Sequence, residues 1–137
     1  MAMTNPYQNY RNQQIFTASQ DKLLLMLFDG AVRFCNQASA ALEKKKYDEA
    51  NTCLVKAQNI IQEFQLTLNM DFEISHKLYA LYDFYYRRLI EANIKKDAKI
   101  VAEVTDFLSD LRETFATAVA RAKAEKQVTT GGADLEI

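Results

Sequence analysis

The stretch that decides the fold is Thr17-Ala18-Ser19-Gln20-Asp21-Lys22-Leu23-Leu24-Leu25-Met26-Leu27-Phe28-Asp29-Gly30-Ala31. It begins with residues that start helices and continues into an unbroken apolar run, Leu23 to Phe28. An amphipathic helix that faces one core needs an apolar stripe and not a full ring. At about 100° per residue, one face of this predicted helix carries Leu24, Leu27, Ala31, Phe34, Cys35, Ala38 and Leu42.

Other apolar side chains of the same helix fall outside that stripe. Leu25 and Val32 lie well to one side, and Met26 lies almost opposite. With Phe28, they give the helix more apolar surface than one bundle core uses. We therefore expect Leu25, Met26, Phe28 and Val32 to form a surface that the N-terminal segment or another protein covers.

Length and composition narrow the class of protein. The chain has 137 residues, which suits one domain, and its three glycines and one proline favour long helices. A net charge of −1, with Lys44–Lys46 as the only basic run, argues against nucleic-acid binding. No apolar run approaches the ~18 residues that a membrane span needs. The polar N-terminus lacks a signal-peptide core, so we expect a cytoplasmic protein with reduced, buried Cys35 and Cys53.

Apolar residues at alternating steps of three and four predict four helices. The first runs from a cap at Ser19, or from a competing capping box at Thr17, to about Lys45. The others are expected over residues 47–68, 72–92 and from 98 to near 126. Asp71 and Asp97 are the expected N-caps of the third and fourth helices.

The short turns between these helices make sequential neighbours antiparallel. The sequence therefore predicts an all-α fold, an antiparallel up-down-up-down four-helix bundle over residues 17–126. Residues 1–16 are predicted to be a short docking arm or helix, anchored by Tyr7, Tyr10 and Ile15. Residues 127–137 have no apolar periodicity and are predicted to be disordered.

Catalytic and metal-binding patterns are incomplete. Glu73-Ile74-Ser75-His76 has the Glu-x-x-His spacing of di-iron bundles, but such a site needs a second copy of the motif, and His76 is the only histidine. A Cys–His nucleophile would need the same histidine. We therefore expect no enzyme activity, no metal and no cofactor.

Binding surfaces are the remaining source of function. Gly30, in a helix interior, suggests that another backbone passes close by, because glycine there costs about 1 kcal/mol relative to alanine. The aromatic third helix could also hold a bound amphipathic helix. On the second and fourth helices, the candidates beside the core stripes are Val55, Leu66, Ile100 and Phe107.

Three motifs in order resemble the flagellin export chaperones known as FliS. They are Thr17-Ala18-Ser19 with Met26-Leu27-Phe28-Asp29-Gly30-Ala31, then Leu66-Thr67-Leu68-Asn69, then Leu81-Tyr82-Asp83-Phe84-Tyr85 through Arg87-Arg88-Leu89 to Glu91-Ala92-Asn93. The likeness covers about residues 7–119. Gln20 stands where the family has proline, and Phe28 stands where it has tyrosine.

This resemblance implies an antiparallel helical bundle that binds the C-terminal region of flagellin in the cytoplasm. That region becomes helical on binding. Because the chaperone covers it, premature polymerisation is prevented, and flagellin is delivered to the flagellar type III export apparatus. The resemblance also implies contact with an export-gate component and other flagellar regulators, and an N-terminal arm that covers apolar surface in the free chaperone. The alternative is a self-associating helical bundle whose surplus apolar surface packs against a second copy.

Overall fold

A computed structural model of the chain describes the backbone of residues 17–136 and the side chains of residues 20–125. It contains four helices and, in this part of the chain, no strand. They are α1 (Thr17–Glu43), α2 (Tyr47–Thr67), α3 (Glu73–Lys95) and α4 (Ala98–Glu136). The predicted arm, residues 1–16 with Tyr7, Tyr10 and Ile15, lies outside the described residues.

The chain divides into two compact units. The larger unit, residues 27–112, contains α2 and α3 complete and parts of α1 and α4. The second unit combines α1 up to Met26 with α4 from Glu113 onward. In that second unit burial raises the pKa of Asp21, while the positive charge of Lys123 on α4 lowers it by a smaller amount.

Within the larger unit, contacts between side chains show that sequential helices are antiparallel. Phe28 of α1 stacks on Phe64 of α2, and farther along α1 Gln37 accepts a hydrogen bond from Cys53 near the start of α2. Residue numbers therefore rise along α1 as they fall along α2. The same relation holds between α2 and α3, which are joined by the pairs Gln65–Tyr79 and Asn51–Asn93. It holds between α3 and α4 through Tyr82–Phe107 and Arg88–Glu103. It also holds between α1 and α4 through Asp29–Arg112 and Cys35–Thr105. The predicted all-α, up-down-up-down bundle is confirmed.

A row of aromatic rings crosses the core of this unit. The rings of Phe28 and Phe64 stack with centroids 4.3 Å apart, and Tyr82 follows at 5.5 Å from Phe64. Phe107 meets Tyr82 edge-on at 6.3 Å. One aromatic residue from each helix is thus in contact with the next, and aromatic pairs stabilise a core beyond the area that they bury.

The prediction that Phe28 lies on a surface outside the core is wrong. Its side chain is only 2% exposed, whereas Phe34, which was placed on the inner stripe, is half-buried. The Phe34 ring instead lies near two cations, with the Arg33 guanidinium 5.1 Å and the Lys56 ammonium 5.3 Å from its centroid. The helices that flank α1 decide which edge of its stripe is buried, and periodicity alone does not locate those neighbours.

Two helix starts differ in their caps. Asp97 caps α4 as predicted, because its Oδ1 accepts a hydrogen bond from the Lys99 N–H at 2.9 Å. Asp71 does not cap α3, since its own N–H donates to Asn69 Oδ1 and Phe72 takes the N-cap position. The helix therefore begins one residue later than the predicted Phe72.

The first and last boundaries also differ from prediction. α1 is already helical at Thr17, so Ser19 lies inside the helix and is not its cap. α4 continues to Glu136, which makes residues 127–136 helical where the sequence predicted disorder. This stretch contains no proline, so every backbone N–H is available to the helix, although Gly131 and Gly132 are poor helix formers.

α1 and α3 end in the same way. The Lys46 N–H donates to the Ala41 carbonyl at the end of α1, and the Asp97 N–H donates to the Ala92 carbonyl at the end of α3. The residue before each donor is a lysine in the left-handed region, Lys45 at φ 60° and Lys96 at φ 55°. Glycine is the residue usually found at this position of such a helix end, because a Cβ is unfavourable there.

We expect Phe28→Ala to lower the free energy of unfolding by about 3–5 kcal/mol, because it removes a fully buried ring from the aromatic row. Val32→Ala, one turn away and only half-buried, should cost clearly less. Urea denaturation of both variants measures the difference. Equal losses would contradict the central place of Phe28.

The interpretation of Gly30 as a close approach between backbones is wrong. A Cβ built on Gly30 would meet the side-chain Cδ1 of Ile60 at 3.6 Å, an ordinary contact, and no neighbouring backbone lies nearer. Gly30→Ala should therefore raise the free energy of unfolding by about 1 kcal/mol through helix propensity. A fall in stability in thermal unfolding would show that the site does not accept a methyl group.

Candidate partner-binding surface

The side of the bundle between α2 and α3 leaves several apolar side chains open to solvent. Two hydrogen bonds mark its length: Asn93 Nδ2 donates to Asn51 Oδ1 at 2.6 Å, and Gln65 Nε2 donates to the Tyr79 carbonyl at 3.2 Å. Residues one or two helical turns inside these pairs share the same side, by the helix repeat. We call this set the α2–α3 face: Asn51, Val55, Gln58, Gln62, Gln65 and Leu66 with Tyr79, Asp83, Tyr86, Ile90, Asn93 and Ile94.

The apolar members of the α2–α3 face are unusually exposed. Leu66 and Ile94, toward its two ends, are 75% and 76% exposed, and Val55 and Ile90 are 40% and 38% exposed. Most of the remaining members carry amide or hydroxyl groups, and the one charged member, Asp83, pairs with Arg87 at 3.0 Å. Grouped apolar exposure of this kind marks interaction surfaces in proteins.

A second apolar area lies between α3 and α4. Tyr85 stacks on Phe107 with ring centroids 3.9 Å apart, and Phe84 meets Tyr85 edge-on at 5.0 Å. Phe84 and Leu81 are about half exposed. We call Leu81, Phe84, Tyr85 and Phe107 the α3–α4 patch.

A charged network lies beside the α3–α4 patch, one turn farther along α3. The Arg88 guanidinium donates two hydrogen bonds to the Glu103 carboxylate, at 2.8 and 2.9 Å, and a third to Glu91 at 2.7 Å. Glu91 also pairs with Lys95. The hydrogen bonds from Arg88 and Lys95 lower the pKa of Glu91, and those from Arg88 lower the pKa of Glu103. This network ties α3 to α4 through ionised groups.

The residues predicted on α2 and α4 have different positions in the structure. Val55 and Leu66 both lie on the α2–α3 face, so the structure brings them together. Phe107 is half-buried within the α3–α4 patch. Ile100 is only 7% exposed, so its predicted place on an accessible surface is wrong; α4 turns it toward the core with Val101 and Val104.

The residues predicted on α1 are not brought together as one surface. Met26 is 59% exposed and Leu25 is half-buried, and both belong to the second of the two compact units. Val32 is half-buried in the larger unit, and Phe28 belongs to its core. A partner-binding role for Leu25, Met26 and Val32 stays a prediction.

Sequence reasoning did not single out Ile90 and Ile94 as binding candidates. A signal was present, because Tyr79, Tyr86, Ile90 and Ile94 recur at steps of seven, four and four along α3. Such steps form a second apolar stripe beside the core stripe. The many aromatic residues on several sides of α3 obscured it.

The nucleophilic and metal-binding candidates have structural places. Cys35 is fully buried, and burial raises the pKa of its thiol to about 11, with a hydrogen bond to Thr105 acting weakly in the opposite direction. The His76 Nε2–H donates to the Met70 carbonyl at 2.9 Å, in the turn before α3. No cluster of three potential metal ligands occurs in the part of the chain that the structure describes.

A polar groove lies between α1 and α4. Small side chains such as Ser39 and Ala102 form it, and carboxylates stand near it at Glu43 and Asp106. It has neither the apolar anchors of the α2–α3 face nor the rings of the α3–α4 patch. The α2–α3 face is therefore the strongest candidate for a partner.

An all-α bundle that leaves grouped apolar side chains exposed on one face is typical of proteins that bind another protein. Comparison with known proteins shows the family to which this chain belongs. Residues 3–122 match the family described as flagellar protein FliS, and the chain belongs to this family. No helix in the described range is both long and apolar enough to cross a membrane.

Individual relatives agree with this family. The chain is 39% identical over 131 residues to the flagellar secretion chaperone FliS of Bacillus subtilis, covering 96% of this chain and 98% of that protein. It is 36% identical over 104 residues to the Salmonella typhimurium protein of the same name, covering 74% and 77%. The corresponding Escherichia coli protein is 31% identical over 105 residues, with 74% and 76% covered.

Stability should fall at alkaline pH because two buried acids stay neutral in the fold. Burial raises the pKa of Cys35 from 9.0 to about 11 and that of Tyr82 from 10.0 to about 12. As the pH rises, the unfolded chain therefore loses these protons before the folded chain does. The stabilisation of the fold is complete below about pH 9 and is lost progressively up to about pH 12. Urea denaturation from pH 8 to 11 should show this fall, and Tyr82→Phe should reduce its slope. If stability falls with pH equally steeply in the unmodified chain, in Tyr82→Phe and in the exposed control Tyr79→Phe, the assignment of the fall to Tyr82 is contradicted.

Proposed function

We propose that this protein is an export chaperone that binds the C-terminal region of flagellin in the cytoplasm. The observation that carries the proposal is the exposed apolar side chains of the α2–α3 face on a chain of the FliS family. Relatives of the chain are named flagellar secretion chaperones. On this proposal the bound segment cannot polymerise, and the complex is delivered to the flagellar type III export apparatus.

The α2–α3 face suits an amphipathic helix as its ligand. Its apolar side chains recur at helical spacing on two neighbouring helices, so a third helix laid between them can place one anchor per turn. Each buried anchor contributes roughly 1.5–3 kcal/mol before the cost of ordering the segment. Because ordering a flexible segment on binding is costly, several anchors are needed, and Val55, Ile90, Leu66 and Ile94 supply them.

The amide side chains of the face bear on specificity. Asn51, Gln62 and Asn93 offer amide donors and acceptors, which pair with uncharged polar side chains and leave a charge without a partner. A charged residue buried here would pay its desolvation cost without compensation. The expected ligand is therefore a helix with apolar anchors flanked by uncharged polar residues.

The N-terminal arm has a related role in this proposal. Tyr7, Tyr10 and Ile15 are expected to cover apolar surface of the empty chaperone and to move when flagellin binds. Export-gate components and other flagellar regulators are further expected partners of the same complex. None of the proposed steps uses catalysis, a metal or a cofactor.

The test is binding of the purified full chain to the C-terminal segment of its own flagellin, measured by calorimetry. Val55→Asp and Ile90→Asp each place a charge on the α2–α3 face, and we expect each to weaken binding by about 100-fold. Leu81→Asp makes the same change on the α3–α4 patch, at a similarly exposed residue, and should leave binding nearly unchanged.

Two results would contradict this proposal in different ways. Absence of any complex with the unmodified chain would remove the flagellin-binding function. Loss of binding in Leu81→Asp alone would move the ligand to the α3–α4 patch.

Self-association is the second candidate function, and the exposed Phe84 and Leu81 of the α3–α4 patch favour it. It predicts a dimer in solution that Leu81→Asp dissociates and that persists when flagellin is present. Sedimentation measurements on the free and flagellin-bound chain distinguish it from the chaperone, which is expected to bind flagellin as a single copy.

A further inference from the structure

The α1–α2 and α3–α4 connections lie together at one end of the bundle. The ammonium of Lys96, between α3 and α4, lies 5.3 Å above the ring of Tyr47, the first residue of α2. Lys96 Nζ also donates to Asn93 Oδ1, and Asn93 in turn donates to Asn51 on α2. These contacts hold the two connections side by side.

This end of the bundle carries a concentration of lysines. We call it the lysine-rich end, and its members are Lys44, Lys45, Lys46, Lys95, Lys96 and Lys99. All are exposed, and only Lys95 forms an ion pair within the described residues, with Glu91. By contrast the connection between α2 and α3, residues 68–72, contains no basic residue. The positive side chains are therefore gathered at one end, with most of them available to a partner.

Two of these lysines occupy positions that suit glycine better. Lys45 and Lys96 both have left-handed backbones at the same point of two equivalent helix ends. Any side chain with a Cβ is disfavoured there, and strained residues that persist are concentrated at functional sites. Lysine at both positions thus sacrifices stability, which is consistent with a use for the ammonium groups.

We propose that the lysine-rich end is a docking surface for an acidic, extended protein segment. The lysines follow the two connections as separate point charges, which matches carboxylates spaced along a flexible chain. Glu43, Asp48, Glu49 and Asp97 stand among the lysines and leave only a small excess of positive charge, so a ligand must place its carboxylates at individual lysines, which a flexible chain can do and a rigid, densely charged duplex or bilayer cannot. Arginine, which binds phosphate in a bidentate manner, is absent from residues 43–49 and 93–99. The lysines lie at the end of the α2–α3 face that carries Asn93 and Ile94, so a second partner can be held next to the ligand of that face.

The experiment is a nuclear magnetic resonance titration of the full chain with a short synthetic peptide of alternating glutamate and serine. We expect amide shifts confined to residues 43–49 and 93–99, and binding that weakens strongly as salt is raised, because exposed charges are screened over about 10 Å at 0.1 M salt. Shifts spread over the whole bundle, or none at low salt, would overturn the proposal.

A pair of matched double variants tests the residues. Lys45→Gly with Lys96→Gly removes two charges and relieves the left-handed backbones, which offsets the lost contacts of Lys96 with Tyr47 and Asn93, so it should fold about as stably and bind the peptide about tenfold more weakly. Lys22→Ala with Lys77→Ala removes the same charge from exposed positions elsewhere and should bind normally. Equal weakening of peptide binding in both double variants would show that only net charge matters, and would overturn the proposed docking surface.

The class of partner is tested with the same proteins. Vesicles of phosphatidylserine and phosphatidylcholine, and a short DNA duplex, replace the peptide at equal salt. Weaker binding than that of the peptide supports the proposal. Tighter binding of vesicles or DNA that depends on Lys45 and Lys96 would overturn it in favour of a phosphate-bearing partner.

Discussion

The aromatic row from Phe28 through Phe64 and Tyr82 to Phe107 is the contact on which the rest of the structure depends. Each ring comes from a different helix and touches the ring of the next, so the row fixes the order of the helices around the core. Rings are large and rigid, and their stacked or edge-on contacts leave little freedom in how neighbouring helices are placed along their axes. The polar pairs Gln65–Tyr79, Arg88–Glu103 and Asp29–Arg112 then hold the same register at the surface.

α3 is placed by this row so that it serves the core and two surfaces at once. Tyr82 enters the core, which turns Tyr79, Tyr86 and Ile90 toward α2 and Leu81, Phe84 and Tyr85 toward α4. A single helix thereby contributes to both the α2–α3 face and the α3–α4 patch. The aromatic richness of α3 has a structural explanation: one stripe stabilises the bundle, and its two flanks stay partly exposed beside α2 and α4.

The two ends of the bundle differ in the chemistry of their connections. The connections at one end leave lysines in backbone positions that favour glycine, while the connection between α2 and α3 is held by side-chain and backbone hydrogen bonds around Asn69 and His76. A long side with exposed apolar and amide side chains and an end rich in lysines are chemically distinct surfaces. A chaperone that must hold a cargo and also be recognised by other proteins can use surfaces of this kind separately.

The sequence by itself determined the four helices and their antiparallel order. Both depend on local properties: apolar residues at steps of three and four define each helix, and the short connections leave sequential helices no arrangement other than antiparallel. Motifs in Met26–Ala31, Leu66–Asn69 and Leu81–Asn93 also pointed to the family that the comparisons show. The predicted cap at Asp97 was confirmed for the same reason, since capping involves neighbouring residues only.

Only the tertiary structure decided which edge of each apolar stripe is buried. Phe28 and Val32 lie within about 40° of each other on α1, at about 100° per residue. One is in the core and the other is half-buried, because the positions of the adjacent helices select between them. Likewise Ile100 is buried, while Val55 and Leu66 join Ile90 and Ile94 on an open face that spans two helices, and the pattern of one helix does not show which helix lies beside it. Periodicity reports how much apolar surface a helix has, and the packing of its neighbours determines how much of that surface is left for a partner.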